Sequence, residues 1–156
     1  VSPALDKPRV VFLCIGNACR SPMGEGLLRH MAGDLVDVAS GGVHPIGVQP
    51  STVDVMDEIG VDIRAQDSTW IHAHLDPPPA VLIALSESAL ARAPRLPRET
   101  VVLRWPVPDP YMIAGDAAAQ LRAYRGARDE IKERLEEWLA SGAAPLGLPP
   151  RRTPKR

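Results

Sequence analysis

Cysteine, aromatic residues and long apolar runs are all scarce in this chain. Two cysteines among 156 residues cannot make the disulfide framework of a small secreted protein, so free thiols in a reducing cytoplasm are the expectation. No apolar run approaches the roughly 18 residues that a membrane-spanning helix needs. The segment Val1-Ser-Pro-Ala-Leu-Asp-Lys-Pro8 also lacks the charged start and long apolar stretch of a signal peptide. A formal net charge of -1 offers no basic excess, so neither nucleic acid nor an anionic membrane is expected as a partner. Three Trp, two Tyr and one Phe supply few rings for a pocket that sandwiches an aromatic substrate. His72 and His74 stand two apart without a cysteine or carboxylate at metal-ligand spacing, which makes them loop residues rather than a metal site.

Proline is plentiful. Its 17 copies are roughly twice the usual share and cluster at residues 77–79, 94–97 and 106–110 and in the tail, marking loops between regular elements. Residues 9–13, Arg-Val-Val-Phe-Leu, form a short continuous apolar run that reads as a buried parallel strand. A helix follows, with Pro22 at its start and Met23, Leu27, Leu28 and Met31 at helical spacing up to Gly33. Residues 36–40 read as a second strand broken by Gly41-Gly42. Pro50 opens a helix that Gly60 closes. Residues 79–84 and 100–103 read as the third and fourth strands. A long amphipathic helix spans about 116–140, with Leu121, Tyr124, Ile131, Leu135 and Trp138 on one stripe. Strands alternating with helices predict an α/β fold with a parallel sheet covered on both faces. The expected organisation is a short extension at 1–8, one domain at 9–140, and a Pro-rich basic tail at 141–156 that is too poor in apolar residues to pack and adds solubility.

The chemistry concentrates in Cys14-Ile-Gly-Asn-Ala-Cys-Arg20-Ser21-Pro22, where five residues separate a cysteine from an arginine between a strand end and a helix start. In such a turn the amides of Ile15, Gly16, Asn17, Ala18, Cys19 and Arg20 can converge on a tetrahedral dianion, and the helix N-terminus adds positive potential. Gly16 supplies backbone freedom, and Asn17 tolerates the left-handed conformation while its side chain pins the loop. Arg20 brings a planar fork that grips two oxygens at once. These groups, with a hydroxyl from Ser21, favour the charged form of the Cys14 sulfur, which is the nucleophilic form.

Residues 12–23, Phe-Leu-Cys-Ile-Gly-Asn-Ala-Cys-Arg-Ser-Pro-Met, resemble the loop of the low-molecular-weight protein tyrosine phosphatase superfamily, which includes thiol-coupled arsenate reductases. Residues 40–50 and 55–63, Trp105-Pro-Val-Pro-Asp-Pro110 and residues 124–131 are similar to the arsenate reductase branch in particular. The resemblance implies a single-domain three-layer sandwich with a four-stranded parallel sheet in the order 2-1-3-4. It also implies a monomer acting on arsenate or a phosphate ester through Cys14, with Arg20 binding the anion and Asp109, beside Pro110, as general acid.

Thioredoxin-coupled arsenate reductases carry two further cysteines that pass the disulfide to the surface, and here Ser86 and Ala93 fall at those positions. Arsenate reduction therefore implies an external thiol such as glutathione, mycothiol or bacillithiol, with or without a glutaredoxin-like protein, and no tightly bound cofactor. Cys19 is expected to pack the loop or to shield Cys14 in a reversible disulfide. Tyr111 resembles the aromatic residue at the substrate mouth of the phosphatases and keeps phosphoester hydrolysis open as the alternative. Asn17, Glu25 and Ser40 match three side-chain ligands of a potassium ion found in some arsenate reductases; the fourth, an aspartate, falls on Thr69.

Overall fold

A computed structural model describes residues 7–152. Four parallel strands, β1 (Arg9–Cys14), β2 (Asp37–Gly42), β3 (Val81–Ala84) and β4 (Val101–Arg104), form one sheet in the order β2-β1-β3-β4. The helices are α1 (Arg20–Ala32), α2 (Pro50–Asp57), the short α3 (Glu87–Arg92) and the long α4 (Ala117–Ala140). Two 3-10 turns, Ile71–His74 and Pro110–Met112, lie between them. The order expected from the resemblance is the order found.

Because successive strand residues face opposite ways, each strand contributes to two cores. Val10, Phe12, Val81 and Ile83 pack with Met23, Leu27, Val55, Met56, Ile131 and Leu135 from α1, α2 and α4. Val11, Leu13, Leu82 and Ala84 face the thinner layer made by Ile71 and by Ala89 of α3. This two-sided burial explains why the strands read as unbroken apolar runs rather than as alternating patterns. Gly24 lets α1 lie directly on β1, since a Cβ there would come within 2.5 Å of the Phe12 ring.

Several boundaries differ from the sequence reading. Strand β2 continues through Gly41-Gly42 instead of breaking there, because both glycines let backbone come close: a Cβ on Gly41 would lie 2.7 Å from Ile71 Cα. Helix α1 begins two residues before Pro22, and a proline within the first turn removes no helical hydrogen bond. Helix α2 ends before Gly60, whose φ of +76° marks the turn after it. Helix α3 was not anticipated; Ser86 caps it by accepting from Ala89 N at 3.1 Å.

The expectation that the tail is too poor in apolar residues to pack is corrected for residues 142–152. Gly142 and Ala143 turn with positive φ, Ala143 is fully buried, and Leu146 and Leu148 pack on the main core. Trp138 Nε1 needs an acceptor once buried and finds Ala144 O at 2.9 Å. Arg151 then grips Asp34 through two hydrogen bonds of 2.7 and 2.9 Å. Three spaced apolar residues and one ion pair hold a segment whose average composition suggested neither. Most of the extension at 1–8 and the last four residues of the tail lie outside the described residues. Among the described residues no helix is long and apolar enough to cross a membrane.

Helix α4 is tied to α2 through Glu58. Arg125 Nη2 donates to Glu58 Oε2 and Arg128 Nη1 to Glu58 Oε1, both at 2.7 Å, and Arg128 Nη1 also reaches Val55 O at 2.8 Å. The hydrogen bonds from Arg125 and Arg128 hold the Glu58 carboxyl down at about 2. A carboxylate with a depressed folded value stabilises the fold above its unfolded value of about 4.3 and loses that contribution as pH falls towards the folded one. Glu58→Gln should therefore lower the Tm at neutral pH and flatten its decline between about pH 5 and about pH 2. Melting curves followed by circular dichroism test this, and parallel declines for the two proteins would show that the pair contributes nothing.

Candidate active site

Residues 15–19 leave the end of β1, turn sharply and enter α1. Four consecutive carbonyls of this turn are held outward. Ile15 O accepts from His44 N at 2.8 Å, Gly16 O from Ile46 N at 3.0 Å, and Ala18 O from Gln49 N at 3.0 Å. Ser68 Oγ lies within reach of both Gly16 O, at 3.1 Å, and Asn17 O, at 2.9 Å. Thr52 Oγ1 adds a second bond to Ala18 O at 2.9 Å. In a trans peptide the N–H points opposite to the preceding C=O, so the amides of Gly16, Asn17, Ala18 and Cys19 turn to the inner side. The left-handed residue is Asn17, with φ +45°, and not Gly16. Its side chain compensates for the strain: Oδ1 accepts from Thr69 N at 2.8 Å, while Nδ2 donates to Ser21 Oγ at 2.8 Å and Ser40 Oγ at 2.9 Å. Gly16 instead leaves space, since a Cβ there would meet Ile46 Cγ1 at 3.1 Å.

Cys14 ends β1 with 2% of its surface exposed, and its Sγ lies 2.8 Å from Ser21 Oγ. Arg20, the first residue of α1, is buried across the sheet end. Its Nη1 donates to Val107 O at 2.9 Å and approaches Leu85 O at 3.4 Å, which orients the guanidinium. Its Nη2 lies 3.4 Å from Asp109 Oδ2. Arg20 Nε is the one buried side-chain nitrogen or oxygen among the described residues that has no hydrogen-bond partner. A buried, unpaired donor on a cation costs free energy unless a ligand meets it.

Asp109 arrives from the chain beyond β4, which continues alongside the end of β3 through Trp105 N to Ala84 O at 2.8 Å and Val107 N to Leu85 O at 3.0 Å. Its Oδ1 accepts from Tyr111 N at 3.0 Å, capping the Pro110–Met112 turn. Cys14, Arg20 and Asp109 share one pocket of about 280 Å³ with Ile15, Gly16, Ala18, Cys19 and Tyr111. His44, Ile46 and Met112 complete its lining. Trp70 stands beside it, edge-on to His44 with ring centroids 6.5 Å apart. His44, Ile46 and Trp70 were not singled out from sequence, because only the pairing of β2 with β1, and of Gly42 with Trp70, brings them to the loop. A larger depression of about 590 Å³ between Pro45, Val53 and Arg64 is lined by no cysteine, so volume does not select the site.

Cys19 sits beneath the loop, and its Sγ donates to Tyr124 Oη at 3.5 Å. Burial pushes its thiol up to about 11, so it stays protonated near neutrality and packs in the core. The same burial pushes the Tyr124 phenol up. Ser86 and Ala93 bracket α3 and supply no thiol.

Asn17, Glu25 and Ser40 do come together, but as a hydrogen-bonded set. Thr69 N is an obligate donor to Asn17 Oδ1, which leaves the amide NH2 facing Ser40. Ser40 Oγ donates to Glu25 Oε1 at 2.6 Å, and Arg29 Nη2 occupies Glu25 Oε2 at 2.7 Å. As oxygen donors for potassium these side chains do not fit. Thr69 Oγ1, at the fourth position, is engaged with Ser40 O at 3.0 Å and His74 Nε2 at 2.8 Å. Among the described residues no group of three His, Cys, Asp or Glu is placed to hold a metal ion.

The sequence profile described as low molecular weight phosphotyrosine protein phosphatase matches residues 9–145. The chain belongs to that family. Within it, the arsenate reductase of Halalkalibacterium halodurans is 34% identical over 138 residues, covering 88% of this chain and 99% of that protein. A solved structure of an arsenate reductase in its phosphate-binding state superposes with a TM-score of 0.70 at 28% identity, covering 86% and 98% of the two chains. A tyrosine phosphatase of Erwinia amylovora, 18% identical, shares the fold with a TM-score of 0.71 over 90% and 97%. Arsenate reductases and a tyrosine phosphatase thus share this fold.

Gly42 provides a test of the loop geometry. A Cβ there would lie 2.7 Å from Ile15 O and 2.8 Å from Asn17 N, both backbone atoms that cannot swing aside. Gly42→Ala should leave the circular dichroism spectrum intact yet weaken inorganic phosphate binding at least tenfold, on the scale of a misplaced positioning group. Isothermal titration calorimetry measures this; unchanged affinity would show that the loop does not depend on that close approach.

Proposed function

We propose that this protein is an arsenate reductase in which Cys14 is the nucleophile and an external thiol is the reductant. The observation that carries oxyanion chemistry is the unpartnered Nε of buried Arg20, beside inward amides and the Cys14 sulfur. The preference for arsenate rests on the arsenate reductases that are about a third identical over nearly their whole length.

The dianion sits on the amides of the 15–20 loop and takes the guanidinium fork of Arg20. Ser21 donates its hydroxyl to the Cys14 sulfur, a hydrogen bond that a thiolate accepts. The thiolate attacks arsenic(V); an arsenic–oxygen bond breaks, and the departing oxygen leaves as water with a proton from Asp109. Before the anion arrives Asp109 leans on Arg20 Nη2, and an anion that engages the guanidinium frees the carboxyl to carry that proton. An external thiol then attacks Cys14 Sγ. A sulfur–sulfur bond forms, the sulfur–arsenic bond breaks with its electron pair remaining on arsenic, and arsenite departs. A second thiol attacks the mixed disulfide and restores Cys14, so two thiols are oxidised for each arsenic reduced.

The surroundings of Cys14 support an external donor. Cys19 is protonated and bonded to Tyr124, and the described chain has no third cysteine. Glutathione, mycothiol and bacillithiol, alone or with a glutaredoxin-like protein, are the candidate reductants, and a reducing cytoplasm is the setting that would supply them.

One observation favours a second reading. Six large apolar side chains are well exposed among the described residues; of these Ile46, Tyr111 and Met112 line the pocket, Ile113 follows them, and Trp70 adjoins His44. Arsenate needs none of them, whereas an organic phosphate ester would bury them. A coupled assay for arsenite with each thiol system in turn decides between the two. Wild type should produce arsenite with at least one system, Cys14→Ser should produce none, and Asp109→Asn should be slower by a factor of about 10² to 10⁴. Rapid aryl phosphate hydrolysis, with arsenate acting only as an inhibitor, would replace reduction by phosphoester hydrolysis.

A further inference from the structure

Behind the anion loop, hydrogen bonds run without interruption from a surface cation to the Cys14 sulfur. Arg29 Nη2 donates to Glu25 Oε2 at 2.7 Å and to Val38 O at 2.8 Å, and its Nη1 donates to Gln66 Oε1 at 3.0 Å. Glu25 Oε1 receives Ser40 Oγ at 2.6 Å, Ser40 Oγ receives Asn17 Nδ2 at 2.9 Å, Ser21 Oγ receives the same Nδ2 at 2.8 Å, and Ser21 Oγ lies 2.8 Å from Cys14 Sγ.

The direction of every donor in this line is determined. A carboxylate can only accept, so Ser40 gives its proton to Glu25 and must accept from Asn17. Thr69 N holds Asn17 Oδ1, so the Asn17 NH2 faces both serines. Ser21 therefore accepts from Asn17 and keeps its own proton for the sulfur. The line ends on the Glu25 carboxylate. The Glu25 side chain is 11% exposed, against 47% for Arg29, and a carboxylate buried that far needs a cation beside it. Three oxygens of three different kinds, carboxylate, backbone carbonyl and carboxamide, converge on the Arg29 guanidinium as they would on a small monovalent ion.

We propose that Arg29 is the built-in cation of the anion loop: it pairs with the Glu25 carboxylate, fixes the donor direction through Ser40 and Asn17, and makes the loop independent of alkali metal ions. Arg29 is a positioning residue that acts through four others and touches neither anion nor sulfur. The proposal rests on the reading of Cys14 and its loop as the anion site, and its test uses binding rather than turnover.

The experiment follows alkylation of Cys14 by iodoacetamide, located by peptide mass mapping, and the inorganic phosphate concentration that halves its rate. Cys19, with its thiol pushed up to about 11, stays unlabelled and serves as the internal control. Wild type, Arg29→Met and Arg29→Lys are compared in potassium chloride and in tetramethylammonium chloride of equal ionic strength. Wild type should behave identically in the two salts. Arg29→Met should need roughly tenfold more phosphate in tetramethylammonium, the scale of losing a group that orients a ligand, and recover most of that loss in potassium. Arg29→Lys should stay near wild type. A wild type whose phosphate protection rises saturably with potassium would overturn the proposal even if Arg29→Met failed to fold. So would a loss in Arg29→Met that neither potassium nor the lysine variant restores, or no loss at all. A wild type unprotected by phosphate in either salt would instead refute the anion-site reading itself.

Discussion

The outward tethering of four successive carbonyls, from Ile15 to Ala18, is the constraint on which the rest of this molecule depends. A chain leaving a strand for a helix could satisfy those groups with water, and its amides would then point anywhere. Here the donors are backbone N–H groups of residues 44, 46 and 49 and the hydroxyls of Thr52 and Ser68, all from segments that follow β2. Each tether is worth about 1 kcal/mol by itself. Acting together they select one loop conformation, and they offset the left-handed backbone of Asn17.

Much of the remaining architecture keeps those donors in place. Strand β2 must run parallel beside β1 and stay close enough for Gly42 to touch the loop, which is why the glycine pair belongs to the strand. Helix α2 must begin at Pro50 so that Gln49 and Thr52 reach Ala18, and the Arg125–Glu58–Arg128 cluster fastens the far end of α2 to α4. The Arg20 guanidinium is set by the same logic: two carbonyls, of Leu85 and Val107, fix one side of its plane. Burying a cation with neutral acceptors on one side and an unpaired Nε on the other is unfavourable in isolation. It is consistent with a site whose stability is completed by an anion.

The elements legible in the sequence were those whose signal is local. Unbroken apolar runs gave the buried strands, Pro50 and the spacing from Leu121 to Trp138 gave the helices, and the Cys14-to-Arg20 spacing gave the loop. Cys14, Arg20, Asp109 and Tyr111, named from the motif and the resemblance, do meet in one pocket. What escaped was long-range. His44, Ile46 and Trp70 join the mouth only through the pairing of distant strands, and Ser68 reaches the loop across 52 residues of chain. Arg29 carried no signal in the sequence, because nothing local shows that Glu25 one turn earlier is buried against Ser40. The tail was misjudged for a related reason: composition averages over a segment, while packing requires only Ala143, Leu146 and Leu148 at the right places.

The loop itself cannot distinguish arsenate from phosphate, since both are tetrahedral dianions of similar size and present the same oxygens to the same amides. On the proposed reading, what separates reduction from hydrolysis is the second step, in which either a thiol or water would reach a covalent intermediate on Cys14. Cys14 lies at the floor of a pocket of about 280 Å³, with 2% of its surface exposed, and the chain has no thiol of its own able to follow. The pocket walls at that point are Ile46, His44, Tyr111 and Met112, not the loop. The choice of chemistry therefore belongs to the rim and to whatever thiol passes it. Such a division would let one anion loop serve either chemistry within a single fold.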